Sequence, residues 1–228
     1  MVLPEDMGYF RRNQEKRRFQ CISRLLPKKG IKKVLDAGAG SGWLSEMLAG
    51  RGFEVTALDI GLDSILRARK RLKERSVPVK FTEGDVYRIP FRSGSFDAAF
   101  ASEILEHLEK PLEALSEIAR VVRPGGWIIV STPYRERIEE ILCIHCNKKT
   151  PVNAHLHSFD ERTLTELLKT SGFTPRRLVK FLNRPAERIG VAGLTGFLPY
   201  AAWRILDAFL CRILGRESFI AARAERNA

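Results

Sequence analysis

The sequence predicts an α/β protein in which a mostly parallel, seven-stranded sheet is covered by helices on both faces. Two observations carry this prediction. Short apolar, β-branched runs alternate with longer segments of helical periodicity, and a glycine-rich turn joins the first such run to the next helix. With 228 residues, of which 44% are hydrophobic and 29% charged, the chain has the size and composition of one globular domain. A core of this size needs no disulfide or structural metal to fold.

Seven strands and five helices follow one another in the order that a parallel sheet requires. The strands are predicted over 33–37, 54–59, 78–83, 96–102, 127–133, 177–183 and 218–224. The helices are predicted over 13–26, 42–51, 61–75, 111–122 and 161–170. The fourth helix is the clearest, because its apolar residues recur at helical spacing and Pro124-Gly125-Gly126 ends the pattern.

The net charge of +12, from 39 Lys and Arg against 27 Asp and Glu, is unevenly distributed. Segment 11–33 has ten basic residues and one acid, Glu15, so we predict a basic helical arm over 1–30. Such a surface attracts nucleic acids, anionic lipid headgroups or acidic small molecules, or it only keeps the protein in solution. The four cysteines are too few and scattered for a disulfide scaffold, and the N-terminus lacks the apolar core of a signal peptide. We therefore expect a cytoplasmic protein.

The first strand runs directly into a glycine-rich turn, 34–42 (VLDAGAGSG). In a parallel sheet this turn lies at the carboxyl edge, where ligands bind, and glycines let backbone N–H groups approach a ligand closely. Asp59 ends the next strand, where a carboxylate can accept hydrogen bonds from both hydroxyls of a ribose. A dinucleotide-binding fingerprint requires glycine or alanine at the position of Trp43, so that class does not fit. A second acidic turn, Glu83-Gly84-Asp85-Val86, follows the third strand.

In these motifs the chain resembles the class I S-adenosylmethionine-dependent methyltransferases, within the small-molecule branch that includes the ubiquinone and menaquinone methyltransferases. The matching segments are VLDAGAGSG (34–42), VTALDI (55–60), EGDVYRIPF (83–91), SFDAAFASEILEHL (95–108) and EIARVVRPGGWIIVSTP (117–133). The resemblance implies a three-layer, Rossmann-like methyltransferase fold in a single domain over 1–228. It also implies that S-adenosylmethionine is the cofactor and that 31–133 forms the core that binds it.

The resemblance further implies a set of cofactor-binding residues at the ends of the strands. They are Asp36, Gly38, Gly40, Gly42, Asp59, Ile60, Asp85, Val86 and Glu103. The glycines would border the methionine part of the cofactor, and Asp59 would bind the ribose. Ile60 and Val86 would contact the faces and edge of the adenine, and Asp85 its amino group. Glu103 would line the floor beneath the methyl group. An alternative for Asp36 and Asp85 is that they cap the turns after their strands.

A segment after the fifth strand, 134–160, contains Cys143-Ile144-His145-Cys146 and His155-Leu156-His157. Two cysteines separated by two residues form a chelating turn, and histidines at i and i+2 share one face of an extended segment. One interpretation is therefore a zinc site, with ligands Cys143, Cys146, His155 and His157. The alternatives are a role for the histidines in the substrate pocket and ordinary loop chemistry. An acceptor that must lose a proton also needs a general base, for which the candidates are His107, His155, His157 and Tyr9.

A second variable segment, 184–216, is strongly apolar. Residues 189–203 carry no charge, but this stretch is too short and too broken to span a membrane. On a helix that begins at Pro199, the polar residues Arg204, Asp207 and Arg212 form a narrow stripe, and apolar side chains cover the rest. Such a face packs within the domain, forms a dimer contact, contacts a membrane surface through 189–214, or covers a pocket for a hydrophobic acceptor.

These features lead us to expect an enzyme that transfers a methyl group from S-adenosylmethionine, by in-line displacement, to a small hydrophobic acceptor that is quinone-like or lipid-like. One alternative is an RNA methyltransferase, which the charge of +12 suggests. Nucleic acid is the less favoured partner, because the fourth strand ends in Ala101-Ser102-Glu103-Ile104 and not in the Asn/Asp-Pro-Pro-aromatic sequence of many base-amino methyltransferases. A further alternative is a scaffold that binds the cofactor without turnover. The acceptor, the attacked atom and the oligomeric state stay open.

Overall fold

A computed structural model describes residues 9–27, 29–145 and 147–228 of the chain. Nine strands are present in this part: β1 (Lys33–Ala37), β2 (Glu54–Asp59), β3 (Val79–Glu83), β4 (Phe96–Ser102), β5 (Val122–Pro133), β6 (Glu140–Leu142), β7 (Lys149–Pro151), β8 (Phe173–Asn183) and β9 (Glu217–Arg226). The helices of the same part are α1 (Tyr9–Ser23), α2 (Trp43–Ala49), α3 (Leu62–Glu74), α4 (Pro111–Val121), α5 (Glu161–Thr170), α6 (Arg184–Arg188), α7 (Val191–Leu194) and α8 (Tyr200–Leu214). A single 3₁₀ turn, Leu105–His107, follows β4.

Seven of the strands form one sheet in the order β3-β2-β1-β4-β5-β9-β8. Strands β1 to β5 pair in parallel, and β9 pairs antiparallel with both β5 and β8. The chain crosses from one side of β1 to the other between β3 and β4, so the carboxyl ends of β1 and β4 border a crevice. The predicted seven-stranded, mostly parallel sheet is confirmed.

Two hydrophobic clusters cover the two faces of the sheet, as a parallel sheet requires. Adjacent residues of β1 divide between them: Leu35 belongs to the cluster with α4 and α5, and Val34 to the cluster with α1, α2 and α8. Both side chains are fully buried. This burial on both faces explains why β1 is apolar throughout and does not alternate with polar residues.

The predicted elements are correct in kind, and their bounds differ for identifiable reasons. Helix α1 spans Tyr9–Ser23 where 13–26 was predicted, and α2 begins only after Gly42, whose φ of +73° is not helical. Strand β5 begins at Val122, because this residue pairs with Phe96 before an irregularity that precedes the pairing of Trp127 with Ala98. The β6–β7 hairpin and the short helices α6 and α7 were not predicted.

The basic N-terminal segment is partly built into the fold. Arg17 and Arg18 are only 3% and 7% exposed. The Arg17 guanidinium donates to the carbonyl of Leu198 at 2.7 Å, and Arg18 forms an ion pair with Glu15. These two arginines are therefore not part of a solvated surface, because α1 packs against α7 and their guanidinium groups have partners within the protein.

Helix α8 begins after Pro199, as predicted, and its buried residues include Trp203 and one member of the predicted polar stripe, Asp207. Asp207 is 5% exposed. It accepts a hydrogen bond from the Leu182 N–H and forms an ion pair with Arg204. Partners distant in the sequence therefore hold this polar side chain inside the protein. The apolar residues Phe209 and Ile213 face outward instead. Within the described ranges no helix has the length and apolarity that crossing a bilayer requires.

Candidate active site

A cleft of about 910 Å³ lies at the carboxyl edge of the sheet. The ends of β1, β2 and β4 form its floor, and α1, the β6–β7 hairpin and α6 contribute to its walls. Eight of the nine predicted cofactor-binding residues line this cleft: Asp36, Gly38, Gly40, Asp59, Ile60, Asp85, Val86 and Glu103. Gly42 is the predicted residue that does not line it.

The glycine-rich turn has a local reason for two of its glycines. Gly38 has a φ of +76°, and a Cβ atom there would lie 2.5 Å from Cδ1 of Ile104, so no side chain fits without displacement. Gly42 has a φ of +73°, and a Cβ atom there would lie 3.2 Å from Cβ of Ala68 in α3. Gly42 thus allows α2 and α3 to pack closely, whereas Gly38 allows the Ile104 side chain to pack closely against the turn.

Asp59 connects the glycine-rich turn to the end of β2. Its Oδ2 accepts a hydrogen bond from the Gly40 N–H at 2.7 Å, and its Oδ1 accepts one from the Gly61 N–H at 2.8 Å. The next residue, Ile60, is 73% exposed although it borders the cleft. A carboxylate that can accept hydrogen bonds, next to an exposed apolar side chain, is suited to bind a sugar and the flat ring attached to it.

Asp85 and Val86, which follow β3, line the same cleft. The Oδ1 atom of Asp85 accepts a hydrogen bond from the Tyr87 N–H at 2.9 Å. This geometry caps the turn after β3, as the alternative interpretation of Asp85 proposed, while the exposed residue still borders the cleft. Val86 is buried and gives this wall an apolar surface.

Asp36 lies beneath the glycine-rich turn, where it is 1% exposed. The Ser45 hydroxyl of α2 donates a hydrogen bond to its Oδ2 atom at 2.6 Å. Burial raises the pKa of Asp36 from 3.8 to about 6, against the opposing effect of the Ser45 hydrogen bond. The buried carboxyl therefore connects β1 to α2 and is costly to ionise.

Glu103 follows β4 with a φ of +53°, which is unusual for a residue with a side chain. Its N–H donates to the carbonyl of Ser131, and its Oε1 atom accepts from the Ser131 hydroxyl at 3.0 Å. The Arg18 guanidinium lies 3.6 Å from the same Oε1 atom. Burial raises the pKa of Glu103, and the positive charge of Arg18 opposes that change.

Glu106, in the 3₁₀ turn after Glu103, was not among the predicted site residues. Glu106 is 1% exposed, and neither of its carboxylate oxygens has a hydrogen-bond partner in the described part of the chain. Burial and, after it, the neighbouring charge of Glu103 raise the pKa of Glu106 to about 9. Its position three residues after Glu103 was the available signal, but it gave no indication of burial.

Three histidines lie in this turn or near it, and each has a defined partner. Nδ1 of His107 lies 3.1 Å from the carbonyl oxygen of Ala154, and Nδ1 of His155 forms a very short hydrogen bond with Glu136. Nε2 of His157 lies 2.9 Å from the carbonyl oxygen of Leu108. The rings of His107 and His155 meet edge to face, with centroids 4.6 Å apart. Burial lowers the pKa of His107, and the hydrogen bond to the backbone opposes this change.

The predicted cysteine and histidine ligands lie in different surroundings. Cys143 follows β6 at the start of the hairpin turn, and Cys146 lies outside the described residues, as does the side chain of Tyr9. The group of three close ligating side chains in the described ranges consists of Glu106, His107 and His155, and it does not include Cys143. A zinc site that uses the two cysteines stays a prediction.

The fold, the glycine-rich turn and the acidic strand ends together define the class of proteins that bind an adenosyl cofactor at the edge of a parallel sheet. Residues 35–130 match the family model of the methyltransferase domain. A ubiquinone biosynthesis O-methyltransferase from Thiobacillus denitrificans is 34% identical over 166 residues, which cover 69% of this chain and 71% of that protein. The chain belongs to the S-adenosylmethionine-dependent methyltransferases.

Other relatives agree with this assignment. A probable S-adenosylmethionine-dependent methyltransferase from Mycolicibacterium smegmatis is 30% identical over 172 residues, which cover 75% of this chain and 61% of that protein. This chain therefore spans less than two thirds of that relative. Among solved structures, the [4+2]-cyclase SpnF superposes with a TM-score of 0.69 at 19% identity, over 94% of this chain and 82% of that one. At this identity the likeness shows the fold alone.

Proposed function

We propose that this chain transfers a methyl group from S-adenosylmethionine to a small hydrophobic acceptor that is quinone-like or lipid-like. The observation that carries the proposal is one cleft lined by two sets of residues. One set comes from the strand ends and includes the glycine-rich turn, Asp59 and Ile60, and the other comes from α1 and from segments after β5 and includes apolar side chains. The ubiquinone biosynthesis relative supports an acceptor of this chemical class.

The residues at the strand ends fit the cofactor. Asp59 offers carboxylate oxygens to a ribose, Ile60 and Val86 offer apolar contacts to a purine, and the glycine-rich turn would border the methionine part. Bound there, S-adenosylmethionine supplies an activated methyl group that an acceptor nucleophile takes by in-line displacement at carbon, with the bonding electrons left on sulfur. The chain's main contribution is then to hold the acceptor in line.

The second set offers apolar contacts to an acceptor. Phe19 of α1, Ile138, Val152 and Phe219 line the cleft, alongside charged side chains such as Arg137 and Glu139. Beside them, the His155 ring is held by Glu136. An acceptor hydroxyl that must lose its proton would meet a histidine already oriented by a carboxylate, which is the arrangement of a general base.

We also propose that the segment 189–214 contacts an anionic membrane surface, where a lipid-like acceptor would be found. Ile189, Phe197 and Ile213 are 74%, 82% and 62% exposed, so the segment presents apolar side chains to its surroundings. Exposed Arg188 and Arg212 flank them and would favour anionic headgroups. Flotation with phosphatidylglycerol vesicles tests this contact. We expect binding to decrease in Phe197→Ser, and undiminished binding in that variant would contradict the proposal.

The acceptor class is tested with labelled S-adenosylmethionine. The purified chain is incubated with the labelled cofactor and a cell extract, and the products are separated into lipid, RNA, protein and small-molecule fractions. We expect label in the lipid or small-molecule fraction. Label confined to RNA would establish the RNA methyltransferase alternative, and absence of label despite cofactor binding would favour the scaffold alternative.

The cofactor site is tested separately by calorimetry with S-adenosylhomocysteine. We expect saturable binding to the parent chain and a loss of at least tenfold in affinity in Asp59→Ala. Because Asp59 also supports the glycine-rich turn through Gly40, the isosteric Asp59→Asn is measured beside it. An affinity unchanged in both variants would overturn the assigned site.

A further inference from the structure

We infer that the cleft contains a divalent-cation site formed by Glu106, His107 and His155. One ligating atom of each residue lies within 4.8 Å of those of the other two. Two imidazole nitrogens and one carboxylate oxygen are a ligand set for first-row divalent cations such as Zn²⁺ and Mn²⁺. The set uses one residue of the zinc prediction, His155, and no cysteine.

The first observation that points to a ligand is the state of Glu106. Its side chain is 1% exposed, and both carboxylate oxygens lack a hydrogen-bond partner in the described part of the chain. A buried polar group without a partner costs free energy, and a bound cation is one of the few groups that would satisfy a carboxylate. The oxygens of Glu103, by contrast, already have Ser131 and Arg18 as neighbours.

The second observation is the orientation of the two histidines. A carbonyl oxygen only accepts hydrogen bonds, so the contact with Ala154 requires Nδ1 of His107 to carry the proton. The carboxylate of Glu136 favours the same tautomer for His155. In both rings the nitrogen that keeps a lone pair is then Nε2. A hydrogen bond from the remote ring nitrogen to an oxygen is the usual support of a metal-binding histidine.

The backbone holds these residues together. The carbonyl oxygen of Glu106 accepts hydrogen bonds from the N–H groups of Leu156 at 2.6 Å and His157 at 3.3 Å. The loop that carries His155 is therefore attached directly to the turn that carries Glu106 and His107. A site that is preformed in this way does not require the chain to reorganise when the ion binds.

Three protein ligands leave coordination positions open, as in catalytic metal sites. All three residues line the same cleft as Gly38 and Ile104, so the open positions would be available to an oxygen of the acceptor. The ion would orient an acceptor with a hydroxyl or carbonyl oxygen near the methyl group, and this part of the inference rests on the proposed function. The binding of the ion does not. With the ion bound, His155 is a ligand and does not act as the general base.

The test is titration of the metal-free chain with Zn²⁺ and with Mn²⁺ by calorimetry, with metal content measured after dialysis. We expect one ion per chain for both metals, and weaker binding of Mg²⁺, which prefers oxygen ligands. Glu106→Gln and His155→Ala should each lower the affinity at least tenfold. His157→Ala is the matched control, because its Nε2 atom lies against Leu108 and it is outside the cluster, and its affinity should stay within twofold.

Two results would overturn the inference: no saturable binding of either metal to the parent chain, or binding that survives in Glu106→Gln and is lost in Cys143→Ser. The second result would establish the cysteine-containing site instead. Binding of S-adenosylhomocysteine by each variant shows that it is folded. If the parent chain binds the metal but not S-adenosylhomocysteine, the proposed function fails and the cation site stands.

Discussion

Asp36→Asn should change the stability of the protein in a strongly pH-dependent way. The carboxyl of Asp36 is almost completely buried, and one hydroxyl, that of Ser45, donates to its Oδ2 atom. This single donor does not compensate for the loss of hydration, so burial raises the pKa of Asp36 from 3.8 to about 6. An asparagine has nearly the same shape, its oxygen can accept the same hydrogen bond, and it has no proton to lose.

The sign of the effect follows from the two pKa values. Between about pH 4 and pH 6 the folded protein keeps the Asp36 proton and the unfolded chain has lost it, so the parent loses stability as the pH rises through this range. The difference between 3.8 and about 6 corresponds to about 3 kcal/mol, at about 1.4 kcal/mol for each pKa unit. Asp36→Asn should therefore gain about 3 kcal/mol relative to the parent between pH 4 and pH 7.

Urea unfolding at pH 4, 5, 6 and 7 measures this gain. The difference between variant and parent is compared across pH, so any constant cost of packing the amide cancels. Asp63→Asn, at an exposed position in the first turn of α3, is the control and should show no change of this size. A difference between Asp36→Asn and the parent that stays the same from pH 4 to pH 7 would refute the reasoning.

The remaining predictions concern single contacts. Gly38→Ala should cost about 1 to 2 kcal/mol of stability because Gly38 has a positive φ. It should also abolish S-adenosylhomocysteine binding, because the new methyl group displaces Ile104. An unchanged affinity in calorimetry would contradict this prediction. Ile60→Ala should weaken S-adenosylhomocysteine about five- to tenfold through lost apolar contact, whereas Leu66→Ala, 51% exposed and outside the cleft, should not. Trp203→Ala should cost about 3 to 5 kcal/mol in urea unfolding, because the indole is 2% exposed; a loss below about 1 kcal/mol would show that α8 is not anchored there.

The part of the site that could be predicted from the sequence depends on local chain geometry. Glycines at a strand end and an acid at the next strand end mark the carboxyl edge of a parallel sheet, because parallel strands bring these ends together. Gly38 and Asp59 are accordingly found on one cleft. Gly42 shares their spacing but packs against α3, and sequence spacing alone does not distinguish the two uses.

The part that could not be predicted depends on contacts between distant segments. The backbone carbonyl of Glu106 accepts a hydrogen bond from the N–H of Leu156, although α4, β5 and the hairpin separate the two residues in the sequence. This bond holds the turn that contains Glu106 against a distant loop. Asp207 is buried because its partner is the N–H of Leu182, in a different element. Helical periodicity placed Asp207 in a polar stripe, but periodicity records polarity and contains no information about such partners.

The origin of the residues that line the cleft explains why family membership and acceptor choice are separate questions. The matched methyltransferase segment, 35–130, contains most of the glycine-rich turn, Asp59 and the Glu106 turn. The cleft is also lined by Phe19, which precedes that segment, and by Ile138, Val152 and Phe219, which follow it. Under the proposed function, a chain would keep the proposed cofactor site and change its acceptor by altering α1, the hairpin segment or the start of β9. Because His155 also comes from outside the matched segment, a cation at Glu106 would join the residues proposed to hold the methyl donor to those proposed to select the acceptor.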